Sequence, residues 1–280
     1  MPLRNRVRES RDQVFRKLNE KLTQHGQKFI YSYASRRLDD DDVVFLNYGY
    51  EEDPPMGLPL SETDEPNRYS IQLYHRTAGQ ADLTGKRVLE VGCGHGGGAS
   101  YLMRTLGPMS YVGLDLNPAG IEFCRKKHRL PGLEFVVGDA QDLPFGAESF
   151  DAVINIESSH LYPRFSRFLS EVARVLRPGG HFLYADARQP HEFAEWEAAL
   201  AAAPLDMVSA RVINAEVVRG MEQILPVWED VIERVAPAFL RRRVREFAPA
   251  RRAWEELRTE GSTEYRMYCF TKPPEHADIP

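Results

Sequence analysis

The run Gly92-Cys93-Gly94-His95-Gly96-Gly97 satisfies the pattern G-x-G-x-x-G, a turn whose missing side chains let a ligand come up against the backbone at the carboxyl end of a strand. The same turn serves NAD, FAD and S-adenosylmethionine (SAM), so its neighbours decide which. Glu90 stands just before the first glycine, where a carboxylate opposes a pyrophosphate but suits the ammonium group of a methionine moiety, directly or through water. Asp115 follows at the end of the next apolar run, placed to accept hydrogen bonds from both hydroxyls of a ribose. Asp139, followed by Ala140, fits a carboxylate beside an adenine amino group. Singly, each acid would serve equally well as a helix cap. Three acids around one glycine loop favour SAM over a dinucleotide.

The elements that must hold these residues follow from the apolar pattern. Short apolar runs predict strands over Arg87–Val91, Tyr111–Asp115, Leu133–Val137, Phe150–Asn155 and His181–Asp186. Between them lie helical stretches, Ala99–Leu106, Ala119–His128 and one carrying Phe165, Phe168, Leu169, Val172, Val175 and Leu176 at spacings of three and four, stopped by Pro178-Gly179-Gly180. Alternation of this kind means an α/β fold, a doubly wound, Rossmann-like sheet with helices on both faces. Residues 1–65 read as a charged helical lead-in, ending in an acidic run, followed by an aromatic and Pro/Gly-rich flap. Residues 66–186 form the cofactor-binding core, 187–260 a helical cap over the substrate, and 261–280 a final strand and tail.

Composition excludes several classes. A net charge of −5 gives no basic surplus for nucleic acid. Three scattered cysteines, Cys93, Cys124 and Cys269, supply neither a disulfide framework nor metal-ligand spacing, so no metal is expected and the default setting is a reducing cytoplasm. The start is studded with charges, unlike a secretory signal, and no run reaches the roughly 18 apolar residues of a membrane span. The cluster Arg241, Arg242, Arg243 and Arg245 after Phe239-Leu240 is either a solvated helix face or a peripheral contact with an anionic bilayer. Oligomeric state is not legible.

The runs Val88-Leu89-Glu90-Val91-Gly92-Cys93-Gly94-His95-Gly96, Gly113-Leu114-Asp115, Gly138-Asp139-Ala140 and Leu176-Arg177-Pro178-Gly179-Gly180 resemble the class I SAM-dependent methyltransferases. That resemblance implies a seven-stranded sheet whose last strand, here Tyr265–Lys272, is antiparallel. It also implies a cofactor set of Glu90, Gly92, Cys93, Gly94, Gly96, Asp115, Leu116, Asp139, Ala140 and Asn155. Further stretches, including Tyr50–Met56, Asp64–Arg68, Leu73–Ala78, Cys93–Leu102, Lys127–Leu133 and Tyr265–Lys272, are similar to the mycobacterial phthiotriolone/phenolphthiotriolone dimycocerosates methyltransferases, over roughly Val43 to Lys272. This implies a methyl ether formed on a hydroxyl of a long-chain polyketide lipid. Residues 1–40 and about 228–262 depart from that likeness. Hydroxylated fatty acids, glycopeptidolipid acyl chains and other small hydrophobic products therefore stay open as acceptors, as does a SAM-binding module without catalysis.

In that fold the end of strand four faces the methyl group. There the sequence reads Asn155-Ile156-Glu157-Ser158-Ser159-His160-Leu161-Tyr162. An aliphatic hydroxyl is a poor nucleophile, so transfer needs alignment and a base. His160 is the first candidate because imidazole titrates near neutrality. Glu157 is expected to orient it or to act itself, and His75 is the second histidine. Tyr48 and Tyr50 from the flap, His75, and Met221 and Ile224 from the cap are expected to line an apolar groove, together with Phe45, Val217 and Trp228.

Overall fold

The five apolar runs become parallel strands, β1 (Arg87–Val91), β2 (Ser110–Asp115), β3 (Leu133–Val137), β4 (Phe150–Ile156) and β5 (Leu176–Arg188). The computed structural model describes residues 43–235 and 249–274, with side chains from 227 to 235 and at 249–250 left aside. The chain divides into two units, Met1–Asp42 and Val43–Pro280. All that follows concerns the second. The expected helical lead-in, the Arg241–Arg245 cluster and the Trp228 side chain lie outside the described residues.

Two further strands, β6 (Asp206–Val212) and β7 (Glu264–Thr271), complete a seven-stranded sheet of order β3-β2-β1-β4-β5-β7-β6, in which β7 runs antiparallel to both neighbours. Chain order reverses between β1 and β4, so the crevice that takes ligands in open α/β sheets lies at the carboxyl ends of these two strands. Helices α1 (Arg68–Ala78), α2 (Gly97–Thr105), α3 (Pro118–Lys127), α6 (Asn214–Val235) and α7 (Pro249–Arg258) contribute to one apolar cluster, through Ile71, Leu102, Ile121, Met221 and Leu257. Helices α4 (Phe165–Val175) and α5 (Phe193–Ala202) contribute to the other. The α4 stripe behaves as its spacing requires: Phe168, Leu169, Val172 and Val175 are buried, each contributing about 1.5–3 kcal/mol by leaving water. Directly opposed aromatics, Tyr184 with Tyr268 and Phe182 with Phe270, stack across β5 and β7 at centroid separations of 5.7 and 6.0 Å.

Residues 187–260 are less uniformly helical than their sequence suggests. Asp206–Val212 is an edge strand, and α5 is a crossover helix packed on the sheet. What remains of the expected cap is α6 and α7. Strand β5 also begins earlier than expected, at Leu176, so Pro178-Gly179-Gly180 lies inside the extended run rather than in a turn before it.

Candidate active site

The glycine loop closes β1 as its composition demands. Gly92, Gly94 and Gly96 have φ of 80°, 54° and 75°, a region costly for other residues. At Gly92 a Cβ would also stand 1.9 Å from Ser158 Oγ, so the loop and the turn after β4 meet without room for a side chain. The Gly92 and Cys93 N–H groups donate to the Leu114 carbonyl, pinning the loop to β2. Asp115 accepts from the Gly94 N–H at 3.0 Å and from the Asn117 N–H at 2.9 Å. Burial raises its pKa above the usual carboxylate value, an effect partly offset by the Asn117 and Gly94 amides. Leu116 beside it is 54% exposed, a large apolar surface at the crevice rim. Asp139 accepts from the backbone and side-chain nitrogens of Gln141, and Ala140 is buried.

Glu90 is buried, and both its oxygens are engaged, by Tyr74 Oη and Tyr111 Oη at 2.8 Å each. Burial pushes its pKa up to about 7 against the pull of the two phenols. It therefore acts first as a strut joining β1, β2 and α1. Asn155 is also buried; its Nδ2 donates to the Val91 carbonyl at 2.7 Å and to Tyr162 Oη at 3.1 Å, while its Oδ1 has no partner.

The turn after β4 carries the titratable cluster. His160 lies in a 3-10 turn, Ser159–Leu161, with its side chain 38% exposed. Its Nδ1 lies 2.8 Å from Asp186 Oδ1, and its backbone N–H donates to Asp186 Oδ2 at 2.9 Å. Burial opposes ionisation of Asp186, but the charges of Arg188 and His160 and bonds from His160 and Ser159 outweigh it and hold the carboxyl well below its ordinary range. An ionised carboxylate only accepts, so Nδ1 carries a proton, and in the neutral ring Nε2 keeps a lone pair. Behind the pair, Arg188 lies 3.1 Å from Asp186 and donates to Ser159 Oγ, with its guanidinium over the rings of Phe165 and Trp196. This is a His–Asp arrangement able to take a proton from an acceptor.

Glu157 does not orient His160. Its φ of 47° turns the half-buried carboxyl toward the Tyr48 N–H, which donates to both oxygens at 2.9 and 3.0 Å, and toward Tyr265 Oη, which donates at 2.8 Å. Burial pushes its pKa up to about 8. The orienting residue is Asp186, which the sequence reading missed. It stands near the carboxyl end of β5 as Glu90, Asp115 and Asp139 stand near, at or just after the ends of theirs, and the same reasoning applied to one more strand finds it. His75 is bonded through Nδ1 to Tyr101 Oη on α2 at 2.8 Å. Of the expected groove walls, Tyr50, Val217 and Met221 are 0–1% exposed and packed into the core, leaving no surface for a substrate. Phe45 and Ile224 are nearly as buried, and Tyr48 is partly exposed.

A family model described as a methyltransferase domain matches residues 89–184. Over 98% of this chain and the full length of the relative, the sequence is 68% identical to a fatty-acid O-methyltransferase of Mycolicibacterium smegmatis. The chain belongs to the SAM-dependent methyltransferases. It is also 59% identical, over 88% of this chain and 91% of the relative, to the phthiotriol/phenolphthiotriol dimycocerosates methyltransferase of Mycobacterium tuberculosis. Among solved structures, the fold resembles the [4+2]-cyclase SpnF (TM-score 0.67, 21% identity, covering 89% of this chain and 95% of that one) and a geranyl diphosphate methyltransferase in complex with SAM (TM-score 0.60, 19% identity, 82% and 99%). For a SAM-dependent methyltransferase the residues present fit the donor: a left-handed glycine loop at the carboxyl end of β1, an acid at the end of β2, and a buried acceptor, Asn155 Oδ1, lacking a donor at the switch point. Among the described residues no group of three His, Cys, Asp or Glu side chains is placed to hold a metal, and no helix is long and apolar enough to cross a membrane.

Proposed function

We propose that this methyltransferase methylates a hydroxyl of a long-chain lipid, with His160 as the general base. The His160–Asp186 pair carries the proposal. A hydroxyl must lose its proton as its oxygen attacks, and an imidazole with Nδ1 committed to a carboxylate has Nε2 left to take that proton. When bound, SAM supplies a methyl group activated by the adjoining sulfonium. Asp115 would hold the ribose hydroxyls, Asp139 and Ala140 the adenine, and Asn155 Oδ1, with the glycine loop, the methionine end. Glu90 reaches that end only by way of water or the loop it supports. Support for a lipid acceptor comes from the relatives, one named for fatty acids and one for phthiotriol lipids. Such an acceptor would bring the enzyme to the inner face of a membrane as a peripheral visitor.

A second reading has one specific support. The relative matching over its full length is named for a fatty acid, and an unsubstituted fatty acid offers only carboxyl oxygens. A carboxylate is already ionised near pH 7 and needs no base. The two readings separate on one product analysis. With a hydroxylated long-chain acid as acceptor, the proposal expects a methyl ether that survives mild alkali. Release of all the methyl as methanol means an ester and overturns the hydroxyl reading.

A further inference from the structure

We propose that Glu157 is a positioning residue: its carboxyl latches residues 43–50 as a strap over the donor crevice, and release of that latch sets the rate of donor and product exchange. The inference rests on donor binding at the glycine loop and is independent of the acceptor.

The strap has no regular secondary structure, so its position is fixed by specific bonds. At one end it holds the glycine loop. The Val43 carbonyl lies 2.8 Å from His95 Nδ1, the Val44 carbonyl accepts from the Gly97 N–H at 3.0 Å, and the Phe45 ring and Leu46 methyl lie where side chains at Gly97 and Gly94 would be. At the other end the Tyr48 N–H is held by Glu157. The strap thus spans the carboxyl ends of β1 and β4, where the strand order reverses. Beyond the latch the chain is fixed more heavily. Tyr50 N–H donates to Tyr69, Glu51 N–H to the Glu216 carbonyl, and Gly49 and Gly220 bring the strap and α6 into backbone contact. Between the glycine loop and this anchor, Asn47 Nδ2 donates to the Ser70 carbonyl on α1 at 3.0 Å, and Glu157, just after β4, holds the Tyr48 N–H. Its left-handed backbone, uncommon for a residue with a Cβ, is what aims the carboxyl there. The carboxyl also spans to Tyr265 on β7, so one group ties strap, β4 and β7.

Glu157 raised to about 8 is largely protonated at pH 7, the wrong form for a base and a sufficient one for accepting two hydrogen bonds. Glutamine preserves that accepting oxygen. The latch and a base therefore give opposite outcomes in Glu157→Gln.

The test measures dissociation of S-adenosylhomocysteine from the full chain by stopped-flow, with amide hydrogen exchange over residues 43–50 and single-turnover methyl transfer on the same proteins. In Glu157→Ala, loss of the two bonds should speed dissociation by about 10–100-fold and raise exchange at Tyr48 selectively. Glu157→Gln should stay within about threefold of the parent in both, with normal transfer. Unchanged dissociation in Glu157→Ala, or a transfer step lost in Glu157→Gln, overturns the inference. Should Glu157→Ala not fold, Tyr265→Phe removes one of the two bonds. A few-fold faster dissociation supports the latch, and parental dissociation with parental exchange overturns it. A parent chain that binds no S-adenosylhomocysteine overturns the donor site itself, and the strap's role with it.

Discussion

Replacing Asp186 by asparagine keeps size and shape but removes the charge that faces His160. In the proposed reaction His160 becomes an imidazolium as it takes the acceptor's proton, stabilised by the Asp186 carboxylate 2.8 Å from Nδ1. Two unit charges about 4 Å apart at an effective dielectric of about 20 attract by about 4 kcal/mol. Two features reduce this: His160 is 38% exposed, and Arg188 shares the same carboxylate. A loss of about 2–4 kcal/mol remains, which at about 1.4 kcal/mol per tenfold is a slowing of roughly 30- to 1000-fold in single-turnover methyl transfer. Asp186→Asn also leaves Arg188, 5% exposed, without its buried anion, at a stability cost of about 3–5 kcal/mol. Rates must therefore be read well below the variant's Tm, with SAM affinity by calorimetry as the control for a folded site. Transfer within threefold of the parent, in a variant that binds SAM normally, would refute the base assignment.

Asp115→Ala, losing the acceptor that also fixes the Gly94 and Asn117 amides, should weaken SAM binding at least 100-fold by calorimetry. Glu157 has a folded pKa of about 8 against an ordinary 4.5, so its contribution to stability is full below about 4.5 and is lost as pH rises through 8. The Tm advantage of Glu157→Gln over the parent should accordingly grow from pH 5 to 9, and a constant difference contradicts this. Met221→Asp buries an unpaired charge in the core and should lower stability globally by several kcal/mol, rather than impairing lipid turnover alone; a parental Tm counts against the packing described. Activity should survive EDTA, and loss restored by a divalent ion would show a metal requirement.

Strands β1 to β5 were legible as apolar runs, nearly continuous in the buried β1 and β4 and alternating in the edge strand β3. Strand β6 was not. Six of its seven residues are exposed, so Asp206-Met207-Val208-Ser209-Ala210-Arg211-Val212 has no buried face to impose alternation. In the site, the glycine loop and Asp115 were readable from type and spacing. The tyrosines on Glu90 lie 16 and 21 residues away in sequence, a meeting no local pattern announces. Glu157 misled because nearness to His160 in sequence does not say which way the turn between them aims the two side chains. A left-handed φ followed by a 3-10 turn sends the two side chains apart. Tyr50 and Met221 were read as groove walls from apolar character alone, which does not distinguish a wall from a core.

The central claim is transfer of a methyl group from SAM to a lipid oxygen with His160 taking the proton. The most direct measurement follows methyl-labelled SAM into the organic phase with a long-chain hydroxylated lipid as acceptor, for the parent and His160→Ala. The account predicts label in the lipid, far faster than into a short alcohol bearing the same hydroxyl, and a fall of about 10²–10⁴-fold in His160→Ala with SAM affinity intact. Equal rates on long and short acceptors, or undiminished transfer without His160, would contradict it.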